Sequence, residues 1–156
     1  MMSNKKYEFV DGDTIEHNGI TLKRIRANVA IGLTVSAGDL GGYIQSEENL
    51  SQESGNAWVY GNAWVCGDAR VYGDARVSGN AWVENDKSIF WATKVGNDND
   101  TLTAFKNKDG KITLVHGCFV GSISRFKALS EEKHSERTKR EYKLLIKVAK
   151  SRILGE

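Results

Sequence analysis

Gly55-Asn56-Ala57-Trp58-Val59-Tyr60 is followed without a gap by four more copies of the same six-residue word: Gly61 to Cys66, Gly67 to Tyr72, Gly73 to Ser78 and Gly79 to Glu84. Gly, Asn or Asp, Ala and Val keep their places, and Trp or Arg sits between Ala and Val. A period of six is too short for a helical repeat and is wrong for a heptad. It suits a chain that runs a short strand, turns at Gly-Asn or Gly-Asp, and starts again. Alternation along such a strand puts Ala57 and Val59 on one face and Trp58 and Tyr60 on the other. The same holds for Ala63 with Val65, Ala69 with Val71, Ala75 with Val77 and Ala81 with Val83. A small residue beside a β-branched one fills a narrow interior, and Asn or Asp after Gly tolerates a sharp corner.

These residues resemble the hexapeptide-repeat family, whose fold is a left-handed parallel β-helix with three hexads per coil. The resemblance implies that residue i stacks on residue i+18, placing Trp64 under Trp82, Trp58 under Arg76 and Tyr72 under Phe90. Ile89 and Val95 continue the inward register, but Lys87 falls where Ala belongs. A charge aimed into so thin a core is costly, so the coil is expected to open or end near Lys87 after about three turns. The expected fold is therefore mainly β: a short left-handed parallel β-helix over 55–96, an N-terminal β cap with the first coil over 1–54, and a C-terminal α+β module over 97–156. A stack of this kind needs caps at both ends.

The flanks carry the resemblance further. Leu22 to Ala27, Ala37 to Ile44 and Glu48 to Glu53 are similar to the N-terminal cap of a phage and prophage group of hexapeptide-repeat proteins. Ser54 is an extra residue before the first hexad and leaves the upstream register open. Tyr7 to Val10 alternates as a strand, Asp11-Gly12-Asp13 reads as a turn, and Thr14 to Arg26 as a hairpin around Asn18-Gly19. In the tail, Ser88 to Lys94, Thr101 to Lys106 and Lys111 to Val115 read as strands. A short helix follows with Ile123, Phe126 and Leu129 inward, then a longer one from about Glu136 to Ile153. Tyr142, Leu145, Ile146, Ala149 and Ile153 form its apolar stripe. Ser88 to Ile153 resembles the C-terminal module on many proteins of the phage group. What this implies is a small intracellular phage accessory protein without an activity that carries over residue by residue.

Composition sets bounds. The 156 residues include sixteen Gly and no Pro, which suits tight coils whose strands need their N–H groups. No apolar run is long enough to span a membrane and Met1 opens no signal peptide. Cys66 and Cys118 have neither metal spacing nor a disulfide framework, so a reduced, cytoplasmic setting is expected. The net charge of +2 hides an asymmetry. Residues 1–54 hold five basic against eight acidic residues, and 123–156 hold ten basic against five acidic.

No catalytic or metal constellation stands out. The best known hexapeptide enzymes are acyltransferases that use a His as general base, whereas His17, His116 and His134 all lie outside the repeats. His116-Gly117-Cys118 invites a Cys-His nucleophile, but packing is the reading taken. Asp11, Asp13 and the Asn97 to Asp100 run lack the Gly and distal Glu of a calcium loop and read as turns. No cofactor and no metal are expected.

Two surfaces remain as candidates. Trp58, Tyr60, Trp64, Tyr72, Arg76 and Trp82 stand on outward faces of the coil. Either the flanking modules fold over them or chains pair through them, and a homo-oligomer is the expectation. Lys139, Arg140, Lys143, Lys147 and Lys150 make a basic stripe on the long helix. The leading expectation is a non-enzymatic scaffold for a host protein partner, and the phage resemblance suggests a host defence component, as in anti-CRISPR-like inhibition. An acyltransferase-like enzyme and a nucleic-acid binder using the basic helix stand as alternatives.

Overall fold

A computed structural model describes residues 5–53 and 55–156. Ser54 and the first four residues lie outside the described residues. The described residues are mainly β, with three sheets, none closed, and two C-terminal helices.

The repeats form two-residue strands at the Trp/Arg-Val positions: β4 (Trp58–Val59), β5 (Trp64–Val65), β6 (Arg76–Val77) and β7 (Trp82–Val83). They pair in parallel, Trp58 with Arg76 and Trp64 with Trp82, which is the eighteen-residue register expected from three hexads. Every repeat Ala and Val is buried, so the narrow interior is filled by the alternation itself. The glycines at 61, 67, 73 and 79 open the corners with φ between +58° and +66°.

Upstream the register changes. β3 (Leu40–Ile44) pairs in parallel with β5 through Tyr43 and Trp64, and Leu50 bridges Val71. Both pairs are twenty-one residues apart, so the first turn carries three residues more than the repeats. Close approach explains Gly41-Gly42 in β3. A Cβ on Gly42 would stand 2.5 Å from the Ala63 carbonyl oxygen, and one on Gly41 2.7 Å from the Trp58 ring.

The N-terminal hairpin extends this sheet. β1 (Tyr7–His17) and β2 (Ile20–Ala27) are antiparallel around Asn18-Gly19, both at positive φ, as a two-residue I′ turn requires. The turn expected at Asp11-Gly12-Asp13 is instead an irregularity inside one long strand: the register shifts between Phe9 and Thr14, with Gly12 at φ +79°. A bulge absorbs the extra residues without ending the strand.

At the other end Lys87 does mark the opening of the coil. Asp86–Ser88 is a 3-10 turn capped by the Asn85 side chain, Lys87 faces solvent and Ser88 is buried in its stead. The chain then enters an antiparallel sheet of β8 (Ile89–Val95), β9 (Asp100–Lys106), β10 (Ile112–His116) and β11 (Phe119–Ser122). One face of this sheet, with Ile89, Phe105 and Val115, joins the core of the coil. The other, with Leu102, Ala104 and Leu114, packs on α1 (Ile123–Lys133) and α2 (Glu136–Leu154). The β9–β10 turn closes the last coil, where Lys108 N–H donates to the Asn80 carbonyl at 3.0 Å and Ala81 bridges Asn107. Phe90 therefore serves the helix-facing core, and Tyr72, expected to stack beneath it, meets the Trp91 ring at 4.6 Å instead. In α1 Phe126 is buried as expected, but Ser130 rather than Leu129 completes the inner face.

Candidate functional site

The aromatic column predicted for the coil surface is mostly roofed by the protein's own caps. Trp58 is 1 % exposed, edge-on to Tyr7 at 6.1 Å, which corrects its expected place on the surface. It stands in register with Arg76, but the cation–ring contacts of the described residues lie elsewhere. Trp64 and Trp82 stack edge-to-face at 6.3 Å, as their register implies. His17 from the hairpin lies 5.1 Å from the first and 4.8 Å from the second, and Lys108 sits 3.9 Å over Trp64. Of the predicted set, Tyr72 remains exposed, at 55 %, with its ring edge-on to Trp91.

The basic stripe is also reorganised. Lys139 donates to Glu131 and Glu136, both at 3.1 Å, with its side chain only 12 % exposed. Hydrogen bonding to Glu131 raises the Lys139 pKa and the same bond lowers that of Glu131. Lys139 thus ties α1 to α2. Lys143 lies 4.0 Å from Glu131, Lys150 is half-buried, and Arg140, Lys143 and Lys147 stay exposed.

His116 and Cys118 point to different surroundings. The His116 ring meets the Tyr142 hydroxyl at 2.7 Å beside Phe126. Burial pushes its pKa down against the raising field of Asp100, while burial pushes the Tyr142 hydroxyl up to about 12. Cys118 is exposed in a groove. No hydrogen bond joins the two among the described residues. His134 accepts or donates at 2.7 Å with Ser130, closing the α1–α2 corner. No group of three metal-ligating side chains occurs among the described residues, and no helix there is long and apolar enough to cross a membrane.

What the structure does assemble is a groove of about 370 Å³ at which all three parts of the chain meet. The loop Ile31 to Thr34 forms one lip, Asn56, Tyr60, Asp74 and Arg76 of the coil form the floor, and Asp100, Gly117 and Cys118 of the tail sheet form the far wall. The lip is braced. Ile31 and Val35 exchange backbone hydrogen bonds of 2.9 and 3.3 Å, Gly32 turns at φ +58°, and the Thr34 and Tyr60 hydroxyls meet at 3.0 Å. Ile31 and Val35 are anchored in the core, whereas Leu33 between them is fully exposed. Of these lining residues the sequence marks Tyr60 and Arg76 as surface candidates, and Asp100 and Cys118 only within motifs read as a turn and as packing. A loop leucine has no periodicity to betray it, and the opposing walls are distant in the chain.

Residues 69–85 match a family model described as the YdcK beta solenoid repeat. The chain thus carries a beta-solenoid repeat, in the stretch where the coil pairs in its eighteen-residue register. No curated protein matches the chain.

Proposed function

We propose that this is a non-enzymatic interaction protein of the phage accessory type: a short left-handed coil with three hexads per turn, capped at both ends, that holds a host protein partner. Inhibition of a host defence component is the role that its resemblance suggests. The observation that carries a binding role is Leu33. A leucine held fully in water at the tip of a braced loop forgoes roughly 1.5–3 kcal/mol of burial, and the loop pays no ordering entropy when a partner covers it. Such a residue has the properties of an interface anchor.

Other features agree. Each histidine already has an aromatic or hydroxyl neighbour within the fold, which favours packing over general-base duty. The exposed Arg140, Lys143 and Lys147 supply a cationic face that speeds encounter with an acidic partner surface. The test is affinity capture from host cells with the partner identified and its binding reconstituted from purified proteins. Leu33→Asp loses that partner while remaining folded; Lys143→Glu with Lys147→Glu slows association and flattens its salt dependence. Partner binding untouched by Leu33→Asp, or coenzyme-A-dependent acyl transfer by the purified protein, overturns the reading.

A further inference from the structure

Three charged side chains line the groove without ion partners. Among the described residues, Asp74, Arg76 and Asp100 take part in no ion pair. Asp100 accepts a hydrogen bond from the Thr101 N–H at 2.8 Å, and the Arg76 backbone N–H donates to the Thr103 hydroxyl at 3.2 Å. The Arg76 guanidinium and the Asp74 carboxylate have no hydrogen-bonding side chain of their own among the described residues. Other described charges that are at least half-buried either pair, as Arg24 does with Asp13 and Lys139 with Glu131 and Glu136, or stand singly outside ion pairs, as Lys6, Lys23, Glu141 and Lys150 do. The groove gathers three such charges at one place.

Asp74 and Arg76 are two residues apart at a corner and strand of the coil, and both line the same groove. Side chains on one face of an extended chain recur every two residues, about 6.6 Å apart. A second extended chain laid along the floor presents its same-face side chains at a comparable spacing, so opposite charges two residues apart on it reach Asp74 and Arg76 together. The carboxylates outnumber the guanidinium, so a basic side chain is drawn between Asp74 and Asp100 while an acidic one takes the fork of Arg76. An apolar neighbour on that segment then covers Leu33 at the lip.

We propose that the groove receives an extended segment of the partner protein carrying a basic and an acidic side chain two residues apart, with an apolar residue beside them. This rests on the reading of the protein as a protein-binding scaffold and specifies the chemistry of what it holds. Asp74 and Arg76 decide the order of the charges.

Three acetylated, amidated peptides test it by nuclear magnetic resonance titration at low salt: Leu-Lys-Ala-Glu-Leu, Leu-Glu-Ala-Lys-Leu and Leu-Gln-Ala-Gln-Leu. One charged peptide is expected to bind saturably, with shifts at Gly32, Arg76 and Gly117, and roughly tenfold more tightly than the neutral one. The exchange variant Asp74→Arg with Arg76→Asp, checked for an unchanged melting temperature, is expected to prefer the other charge order. Leu33→Asp weakens all three peptides and leaves the order unchanged. Equal binding of charged and neutral peptides, the same order preferred by wild type and exchange variant, or no saturable shift at millimolar peptide overturns the proposal. If a purified partner is still lost on Leu33→Asp while the peptides fail, the scaffold reading stands and only this assignment falls.

Discussion

One polar side chain, Asn49, governs the N-terminal end of the coil without any repeat position to mark it. Asn49 is wholly buried: its amide donates to the Gly67 and Ala69 carbonyls at 3.1 and 2.8 Å and its oxygen accepts from the Ser46 N–H at 3.0 Å. Asn49→Ala leaves buried backbone groups unsatisfied at about 1–3 kcal/mol each, so the melting temperature is expected to fall by several degrees. Asn49→Asp removes the donor and adds a charge and is expected to be worse. An unchanged melting temperature for either contradicts this account. Gly42→Ala is more severe, because a Cβ there meets the Ala63 carbonyl and Val59 at 2.5 and 2.7 Å; expected is loss of soluble protein or destabilisation beyond the 1–3 kcal/mol usual for overpacking. His116 gives the pH dependence. Its folded pKa lies below 6.5, so between that lowered value and 6.5 the unfolded chain binds more protons than the native one. Stability is therefore present above 6.5 and is lost as pH falls through the folded pKa. His116→Gln is expected to flatten the slope of unfolding free energy against pH over that window in urea titrations at several pH values.

At the scale of elements, periodic segments were legible and long-range cover was not. Ala and Val at every sixth step gave the buried interior, Asn18-Gly19 gave the hairpin turn, and Tyr142, Ile146 and Ala149 gave the inner face of α2. Each signal lies within one element. Trp58 was misplaced because its burial depends on Tyr7, fifty-one residues away, and the basic stripe lost Lys139 to Glu131 of another helix. A helical wheel does not display contacts between elements. The sequence shows an open register at Ser54 but not the three extra residues of the first turn, because no repeat word marks that turn, and it does not show the groove, whose walls come from all three parts of the chain. The Lys139 tie makes its own prediction. Lys139→Met is expected to raise amide exchange in α1 far more than in the coil, since α1 then keeps chiefly Phe126, Ile123 and the contact of its capping His134 with the Tyr142 ring to hold it. Uniform exchange across the protein would show that the ion pair positions nothing.

As a whole the molecule solves the problem of an open-ended stack. Each coil pairs with the next, so the last one presents unpaired backbone and an apolar cross-section, the combination that drives edge-to-edge aggregation. Here the tail sheet lays Ile89, Phe105 and Val115 over the coil interior, the Thr103 hydroxyl takes the Arg76 N–H, and Lys108 pairs with Asn80. Because these contacts are shared, coil and tail are expected to unfold in one transition, seen as coincident curves for tryptophan fluorescence and for helical circular dichroism. The decisive variant ends the chain after Asn85. That fragment retains the five hexads and the N-terminal cap but exposes Ala81, Val83 and Val77 at its cut end. It is expected to form oligomers or precipitate at micromolar concentration, with sedimentation velocity as the readout, whereas the full chain with Lys108→Ala loses only the cation over Trp64, a change of about 0.5–1 kcal/mol. A truncated chain that sediments as a folded monomer would mean that the coil is self-sufficient. The tail sheet and helices would then owe their place to the groove they help to build, and not to closing the stack.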